Sequence, residues 1–310
     1  MTQIQNKNFY TIDLNFMDLP GTIASYLIPH SRGCILVECG PGSTIPALEK
    51  GLSRHGFKIS DISDVLLTHI HLDHAGASGW LASQGATIHV HPVGAAHMLD
   101  PEKLLASAER IYGDLMKTLW GEFLPVKDTK LKTHTDEEII QINEMQFRCL
   151  DTPGHANHHY AYLWENICFS GDIGGVRLSG TNHLRVPMPP PEFILERWQD
   201  SVKRLIKEFT NGNFNYIAPT HFGVFDDPAW HLNSLDKALK DINSWIETVM
   251  PTNPSIDSIN EQFLNWTQQR AFIDGMPQDK LNAYEAANPS WMSGYGIQRY
   301  WRKYRSETPS

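Results

Sequence analysis

Short apolar segments bounded by turn-forming residues recur through the first two thirds of the chain. Six of them have the length and the β-branched or aromatic content that are typical of strands. They are residues 25–29 (SYLIP), 34–40 (CILVECG), 64–69 (DVLLTH), 86–92 (ATIHVHP), 145–155 (MQFRCLDTPGH) and 159–172 (HYAYLWENICFSGD). A shorter strand-like segment lies at 216–218, and helical spacing occurs over 43–55 and 75–84. This mixture of strands and helices predicts an α/β domain.

Two regions depart from this pattern. Residues 93–125 carry apolar side chains at helical spacing and lie between two predicted strands, so they are interpreted as a helical insertion. The apolar stripe of the insertion either packs on the core or also lines a substrate pocket. After residue 221 the strand patterns end, and helices are predicted at 234–249, 256–271, 279–288 and 296–305. The predicted organisation is a catalytic domain over 1–232 followed by a C-terminal helical subdomain over 233–310.

Composition and charge limit the classes of partner. The chain has 310 residues, of which 41% are hydrophobic and 20% charged, which is typical of a globular protein. A net charge of −9 argues against a general nucleic-acid surface. One basic run, residues 299–305 (RYWRKYR), is interpreted as a solvated final helix, with an anion-binding or membrane-surface role as the alternative.

The sequence also predicts a location and a redox state. No apolar run reaches the ~20 residues that span a bilayer, and the polar start MTQIQNKN lacks the order of a secretory signal. We therefore predict a cytoplasmic protein without a membrane partner. The four cysteines have no CxxC spacing and lie in or beside apolar stretches, so reduced, buried thiols are expected.

The segment Thr68–Gly76 (THIHLDHAG) contains the first candidate chemistry and directly follows a predicted strand. Alternate residues share a side of an extended chain, so His69 and His71 can point the same way, whereas Asp73 and His74 point elsewhere. One loop could therefore supply ligands to two neighbouring metal ions.

Three later segments each end a strand-like run with a further candidate ligand. These residues are His155 in TPGH, Asp172 in SGD and His221 in PTH. Imidazoles and carboxylates in this ratio suit zinc, with iron or manganese as alternatives. The lack of thiolate ligands favours a catalytic over a structural site.

The series THIHLDHAG, TPGH, SGD and PTHFG resembles the metallo-β-lactamase superfamily over about residues 10–225. The resemblance implies a four-layer αββα sandwich with its active site at one edge, between the two sheets. It also implies that two divalent metal ions are bound. One would be held by His69, His71 and His155 and the other by Asp73, His74 and His221, while Asp172 would bridge the two ions.

Metal chemistry then predicts the reaction. A hydroxide that bridges two divalent ions is available near neutral pH, and the same ions polarise the bond to be cleaved. Asp73 is predicted to orient this hydroxide as well as to bind metal. For the proton that the leaving group needs, His183 is favoured among His158, His159, Tyr160 and His183, although each could equally be a structural hydrogen-bonding residue.

One motif departs from the pattern of many relatives. They carry Asp-Thr-Gly after an early strand, whereas this chain has Glu38, Cys39 and Gly40. The departure leaves the hydrogen bonding near the site open. It also leaves open whether Cys39 is a metal ligand.

The intact HxHxDH motif and the helical C-terminal region are similar to glyoxalase II and related thioesterases. Aromatic and methionine residues in the helices at 104–123 and 263–301 suggest a lid over an apolar group. The predicted reaction is hydrolysis of an ester-type bond, first of a thioester and second of a lactone, in a small molecule with an apolar acyl part. Phosphodiester cleavage and a metal-binding regulatory role with weak turnover are the alternatives, and a homodimer is left open.

Overall fold

Two mixed β-sheets form the centre of the computed structural model, which describes residues 9–306. In chain order the strands are β1 (Tyr10–Asp13), β2 (Ala24–His30), β3 (Gly33–Val37), β4 (Ile62–Leu66), β5 (Thr87–Val90), β6 (Leu131–Thr133), β7 (Ile139–Ile142), β8 (Met145–Asp151), β9 (Tyr160–Trp164), β10 (Ile167–Phe169) and β11 (Tyr216–Ala218). The first sheet has the order β1-β2-β3-β4-β5-β6 and the second the order β11-β10-β9-β8-β7. Strands β3 to β6 are parallel, as are β10 and β11, and the other pairs are antiparallel.

Helices cover the outer face of each sheet. They are α1 (Ile45–Arg54), α2 (Leu72–Ala75), α3 (Ser78–Ser83), α4 (Pro92–Leu99), α5 (Glu102–Tyr112), α6 (Met116–Trp120), α7 (Leu195–Thr210), α8 (Pro228–Val249), α9 (Ile256–Ile273), α10 (Leu281–Ala287) and α11 (Ser290–Tyr300). Buried residues of α1 and α3 to α6 pack on the first sheet, and those of α7, α8, α9 and α11 pack on the second. A third apolar cluster fills the space between the sheets. The result is the predicted αββα sandwich, followed by a helical C-terminal region.

Several elements differ from the sequence-based predictions. The segment 159–172, predicted as one strand, forms the hairpin β9–β10, because the chain turns at Glu165, which has a φ of 56°. Strands β1, β6 and β7 and helix α7 were not predicted. The predicted boundary between residues 232 and 233 falls inside α8. The division into two domains therefore stays a prediction, and the structure shows only that residues 228–249 form one continuous helix across the predicted boundary.

The last described residues bear on the basic run at 299–305. Arg305 Nη2 lies 2.7 Å from Glu196 Oε1 on α7 and 3.1 Å from Asn243 Oδ1 on α8. These contacts favour the interpretation of a terminal helix that packs on the body of the protein. The polar segment 1–8, on which the predicted location rests, lies outside the described residues. Among residues 9–306, no helix has the length and hydropathy needed to cross a bilayer.

A chain of hydrogen-bonded side chains ties β4 and β5 to the segment that links the two sheets. His89 on β5 contacts Asp64 Oδ1 through Nε2 (2.8 Å) and His134 Nε2 through Nδ1 (2.8 Å). His134 in turn contacts Glu138 Oε1 at 2.7 Å. Burial lowers the pKa of His89, and the nearby carboxylate of Asp64 only partly opposes this effect.

Candidate metal centre

The seven predicted ligands follow the carboxyl ends of four strands. His69, His71, Asp73 and His74 follow β4, and His155 follows β8. Asp172 follows β10, and His221 follows β11. The structure brings all seven side chains together at one edge of the sandwich, between the two sheets.

His69, His71 and His155 form the first group. His71 Nδ1 lies 2.9 Å from His69 Nε2 and 2.9 Å from His155 Nε2. Burial lowers the pKa of His71 to about 3, and the neighbouring His155 acts in the same direction. Burial also lowers the pKa of His69 and of His155. A metal ligand must offer a lone pair, and these three neutral rings can do so.

Asp73, His74 and His221 form the second group. Asp73 Oδ2 lies 3.3 Å from His221 Nε2 and 3.5 Å from His74 Nε2. Asp172 stands between the two groups, because its Oδ1 is 3.3 Å from His74 Nε2 while its Oδ2 is 3.4 Å from His155 Nε2. One carboxylate thus presents an oxygen to each group.

Three atoms at the centre of this cluster are buried without a hydrogen-bond partner. They are His74 Nε2, His221 Nε2 and Asp172 Oδ1, and both nitrogens lie within 3.5 Å of that oxygen. Buried polar atoms are rarely left unpaired, and a divalent cation would satisfy all three at once. Burial raises the pKa of Asp73, but His74 and His221 outweigh this effect and hold it well below its usual range. An ionised carboxylate among imidazoles is a donor set that fits zinc.

Contacts behind the ligands fix which ring nitrogen faces the cluster. His155 Nδ1 donates to Pro187 O (2.9 Å), and His221 Nδ1 donates to Thr22 O (2.7 Å). His74 Nδ1 lies 3.3 Å from Glu38 Oε2, and Glu38 Oε1 accepts a hydrogen bond from the Thr68 amide (3.1 Å). A proton held on Nδ1 leaves Nε2 free to bind metal.

The Cys39 thiol faces the backbone behind His74 and does not face the ligand cluster. The thiol is buried and donates to His74 O, with Sγ 3.2 Å from that oxygen. Burial raises the pKa of this thiol. Cys39 therefore packs behind the α2 turn and is not part of either ligand group. The other three cysteines are also free and buried, as predicted.

Two glycines allow the ligand loops to approach their neighbours. Gly154, next to His155, has a φ of 138°, and an added Cβ would lie 2.3 Å from the Trp198 backbone. Gly171, next to Asp172, has a φ of 51°, and an added Cβ would lie 2.5 Å from Thr68 Oγ1. Only glycine adopts such conformations without steric cost, which explains its place in TPGH and SGD.

The four candidate proton donors lie in different surroundings. His158 borders the cavity above the cluster, with Nε2 3.1 Å from Glu192 Oε2. His159 is buried behind His69 and accepts from the Ile173 amide (3.3 Å). Tyr160 is buried, and its hydroxyl donates to a backbone carbonyl.

His183 is not brought to the cluster. It is buried against Tyr284, and its Nδ1 lies 2.7 Å from Asp274 Oδ2. His183 is also not among the residues that line the cavity above the ligands. The catalytic role of His183 stays a prediction, which this position does not favour.

A cavity of about 810 Å³ opens above the ligands. His71, Asp73, His155, Asp172 and His221 form its floor. The walls are mainly apolar, and most of their residues come from four separate parts of the chain: Phe16, Met17, Leu19 and Ile23; Leu104, Ile111, Tyr112, Leu115, Leu119 and Trp120; Pro187, Met188, Pro189, Pro190 and Pro191; and Pro289, Trp291 and Met292. The volume lies within the usual range for sites that bind small molecules.

Sequence analysis missed part of this wall. Residues 16–23 precede the first predicted strand and carry no chemical motif. Glu192 and the prolines 187 and 189–191 were not assigned either, although the run MPPPE could have indicated a rigid turn. The predicted lid at 263–301 reaches the cavity only through residues 282–292.

Comparison with known proteins gives a consistent family. Residues 18–208 match the family model described as metallo-beta-lactamase superfamily. A metallo-beta-lactamase fold-containing protein of Sulfurisphaera tokodaii is 29% identical over 180 residues, which are 56% of this chain and 67% of that protein. A hydroxyacylglutathione hydrolase of Ectopseudomonas mendocina is 28% identical over 146 residues, which are 46% of this chain but only 43% of the relative.

Solved structures show the same fold. A metallo-beta-lactamase family protein from Thermus thermophilus is 21% identical, with a TM-score of 0.61 over 95% of this chain and 93% of that chain. A class B3 di-zinc metallo-beta-lactamase from an Alaskan soil metagenome is 19% identical, with a TM-score of 0.54 over 77% of this chain and 91% of that chain.

Proposed function

Because this chain belongs to the metallo-beta-lactamase superfamily, whose members are metal-dependent hydrolases, we propose that it cleaves a thioester or a lactone with an apolar acyl part. The observation that carries the proposal is the position of the ligand cluster at the floor of a large, mainly apolar cavity. A substrate without an apolar part, such as a sugar, would leave this wall without matching contacts. An acyl chain would bury apolar surface on both sides.

The residues have separate roles in this proposal. His69, His71 and His155 would hold one divalent ion, Asp73, His74 and His221 the other, and Asp172 would contact both. Such a pair of ions, most simply zinc, supplies an activated water and polarises the carbonyl group. Asp73, whose Oδ2 faces two ligand histidines, would also orient the nucleophile as a hydrogen-bond acceptor.

The cavity walls would position the substrate and exclude bulk water. Tyr112 and Trp120 pack edge to face with ring centroids 5.0 Å apart, and Phe16 stacks on Trp120 at 5.4 Å. This rigid aromatic wall would hold the acyl group against the reacting centre. Water excluded from the cavity would strengthen the electrostatic interactions around the carbonyl group.

The test combines metal analysis with a substrate panel. We expect about two divalent ions per chain, and turnover of an octanoyl thioester or an acyl-homoserine lactone that a chelator abolishes and zinc restores. A β-lactam and bis-p-nitrophenyl phosphate complete the panel. Faster cleavage of the phosphodiester than of either ester would contradict the proposed substrate class, and metal binding without turnover of any compound would favour a regulatory protein.

A further inference from the structure

The charged side chains that border the cavity differ in whether they have partners. Each of the four carboxylates that line the cavity already has a polar or charged partner. Glu192 contacts His158 and Asn157, and Glu285 contacts Arg185 and Ser290. Asp73 and Asp172 belong to the ligand cluster. None of these four groups is left to neutralise a cation elsewhere on the wall.

Lys103 and Arg110 line the same cavity and have no ionic or hydrogen-bond partner among residues 9–306. Both lie on α5, seven residues apart, so they project from the same side of the helix about 10 Å from each other. Ser107 lies between them and also lines the cavity. Both cations are exposed, whereas the ligand residues are mostly buried, which places the cations at the cavity mouth.

Large apolar side chains surround these cations at the mouth. Met17, Leu115 and Trp291 line the cavity and are 55%, 57% and 38% exposed. A mouth that combines exposed apolar surface with two unpaired cations matches an amphiphilic molecule better than a purely apolar one.

We propose that the substrate carries an anionic group, a carboxylate or a phosphate, and that Lys103 and Arg110 bind it at the mouth while the acyl part occupies the apolar wall. This inference rests on the proposed hydrolase function, because the anion would belong to the thiol or alcohol side of the bond that is cleaved. Lys103 and Arg110 determine specificity in this arrangement and take no part in the bond cleavage.

Three thioesters with one acyl group test the proposal. Octanoyl-coenzyme A carries phosphates, S-octanoylglutathione carries carboxylates, and octanoyl-N-acetylcysteamine is neutral. We expect Lys103→Gln and Arg110→Gln each to lower kcat/KM for an anionic thioester about threefold, and the double variant about tenfold, since exposed ion pairs contribute modestly. The neutral thioester should be unaffected, and the effect should shrink in high salt. The control is Lys117→Gln, a lysine on α6 that does not line the cavity.

If the substitutions lower kcat/KM for octanoyl-coenzyme A, the anion is a phosphate, and if they lower it for S-octanoylglutathione, the anion is a carboxylate. Equal losses for the anionic and neutral thioesters, or no loss in the double variant, would overturn the inference while leaving the hydrolase proposal intact. If the wild-type enzyme cleaves neither these thioesters nor the acyl-homoserine lactone, the proposed function fails, and binding decides the inference separately. Trp120 and Trp291 fluorescence would then report binding of octane-1-sulfonate and of octan-1-ol. The inference is supported if the wild-type protein binds the sulfonate more tightly than the alcohol and the double variant loses this difference. Equal affinity of the wild-type protein for both compounds overturns it.

Discussion

Replacing Glu38 by glutamine probes how the fold prepares the second group of ligands. Glu38 Oε2 lies 3.3 Å from His74 Nδ1, and Oε1 accepts from the Thr68 amide. The negative charge of the carboxylate favours a proton on the nearby Nδ1 and so keeps the Nε2 lone pair available for metal. In Glu38→Gln the amide oxygen can keep the Thr68 contact, but the amide nitrogen then faces His74 Nδ1 as a donor. The ring would respond by moving its proton to Nε2, the atom that must bind metal.

The size of the effect follows from the position of this contact. Loss of a hydrogen-bond partner behind a metal ligand typically weakens metal binding or activity 10–100-fold, which is about 1.4–2.7 kcal/mol. We expect this loss in the ion held by Asp73, His74 and His221. The ion held by His69, His71 and His155 should be affected less, because the Glu38 carboxylate lies behind His74 and not behind those rings.

Chelator competition measures the affinity of each ion, and circular dichroism measures the fold. The matched control is Glu192→Gln, which changes a carboxylate of the cavity wall that contacts His158 and no ligand. Glu38→Asp should recover part of the affinity, because it restores an acceptor. An equal weakening of both ions, or an unchanged affinity of the second, would refute the role assigned to the His74 tautomer.

Three further predictions concern the nucleophile, the wall and the acid side of stability. Asp73→Asn should lower kcat by at least about a hundredfold while the protein stays folded, and near-normal turnover would contradict the assigned role. Ile111→Glu places a charge in the apolar wall of the cavity. It should lower kcat/KM for octanoyl thioesters about tenfold or more relative to acetyl thioesters, with the metal content unchanged. An unchanged preference for acyl-chain length would count against a substrate role for α5. Because the pKa of His89 is lowered in the folded protein, the unfolded chain takes up a proton on His89 as the pH falls below about 6.5, while the folded protein does not. The free energy of unfolding that neutral His89 supports is therefore fully present above about pH 6.5 and decreases as the pH falls. The urea midpoint should therefore drop less between pH 7 and pH 5.5 in His89→Gln than in the wild-type protein, and parallel drops would show that His89 is not responsible.

The elements that could be predicted from the sequence are those with a clear local pattern of apolar residues. Long apolar runs marked β2, β3, β4 and β8, and three-four spacing marked the helices of the insertion and of the C-terminal region. The short strands β6 and β7 were not predicted. They have only three and four residues, lie at the edges of the sheets, and combine apolar with polar side chains. Helix α7 was not predicted, although Trp198, Val202 and Leu205 recur at helical spacing, so the sequence does carry the pattern of a helix with one buried face here.

The candidate site divides in the same way. The seven candidate ligands, which the fold brings together, each stand in a short motif at the end of a strand, so the sequence could predict that they lie close to one another. The cavity wall could not be fully identified, because Phe16 and Trp291 are far apart in the sequence and meet only through tertiary packing. His183 follows the glycine-rich segment 174–180 (GGVRLSG), which keeps it close to Asp172 in the sequence, whereas the folded chain directs its side chain toward Asp274 in the C-terminal region. Direction of a side chain within a loop is not encoded in local sequence.

The separation of the ligands from the walls has a consequence for synthesis on the ribosome. The last ligand, His221, leaves the exit tunnel before residues 282–292, which complete the cavity. A nascent chain that ends between these points contains every candidate metal ligand but lacks the residues of the cavity wall that α10 and α11 supply. All seven candidate ligands are therefore synthesised before the C-terminal residues that complete the cavity wall, so the order of synthesis separates the candidate metal centre from the part of the wall that shapes the cavity.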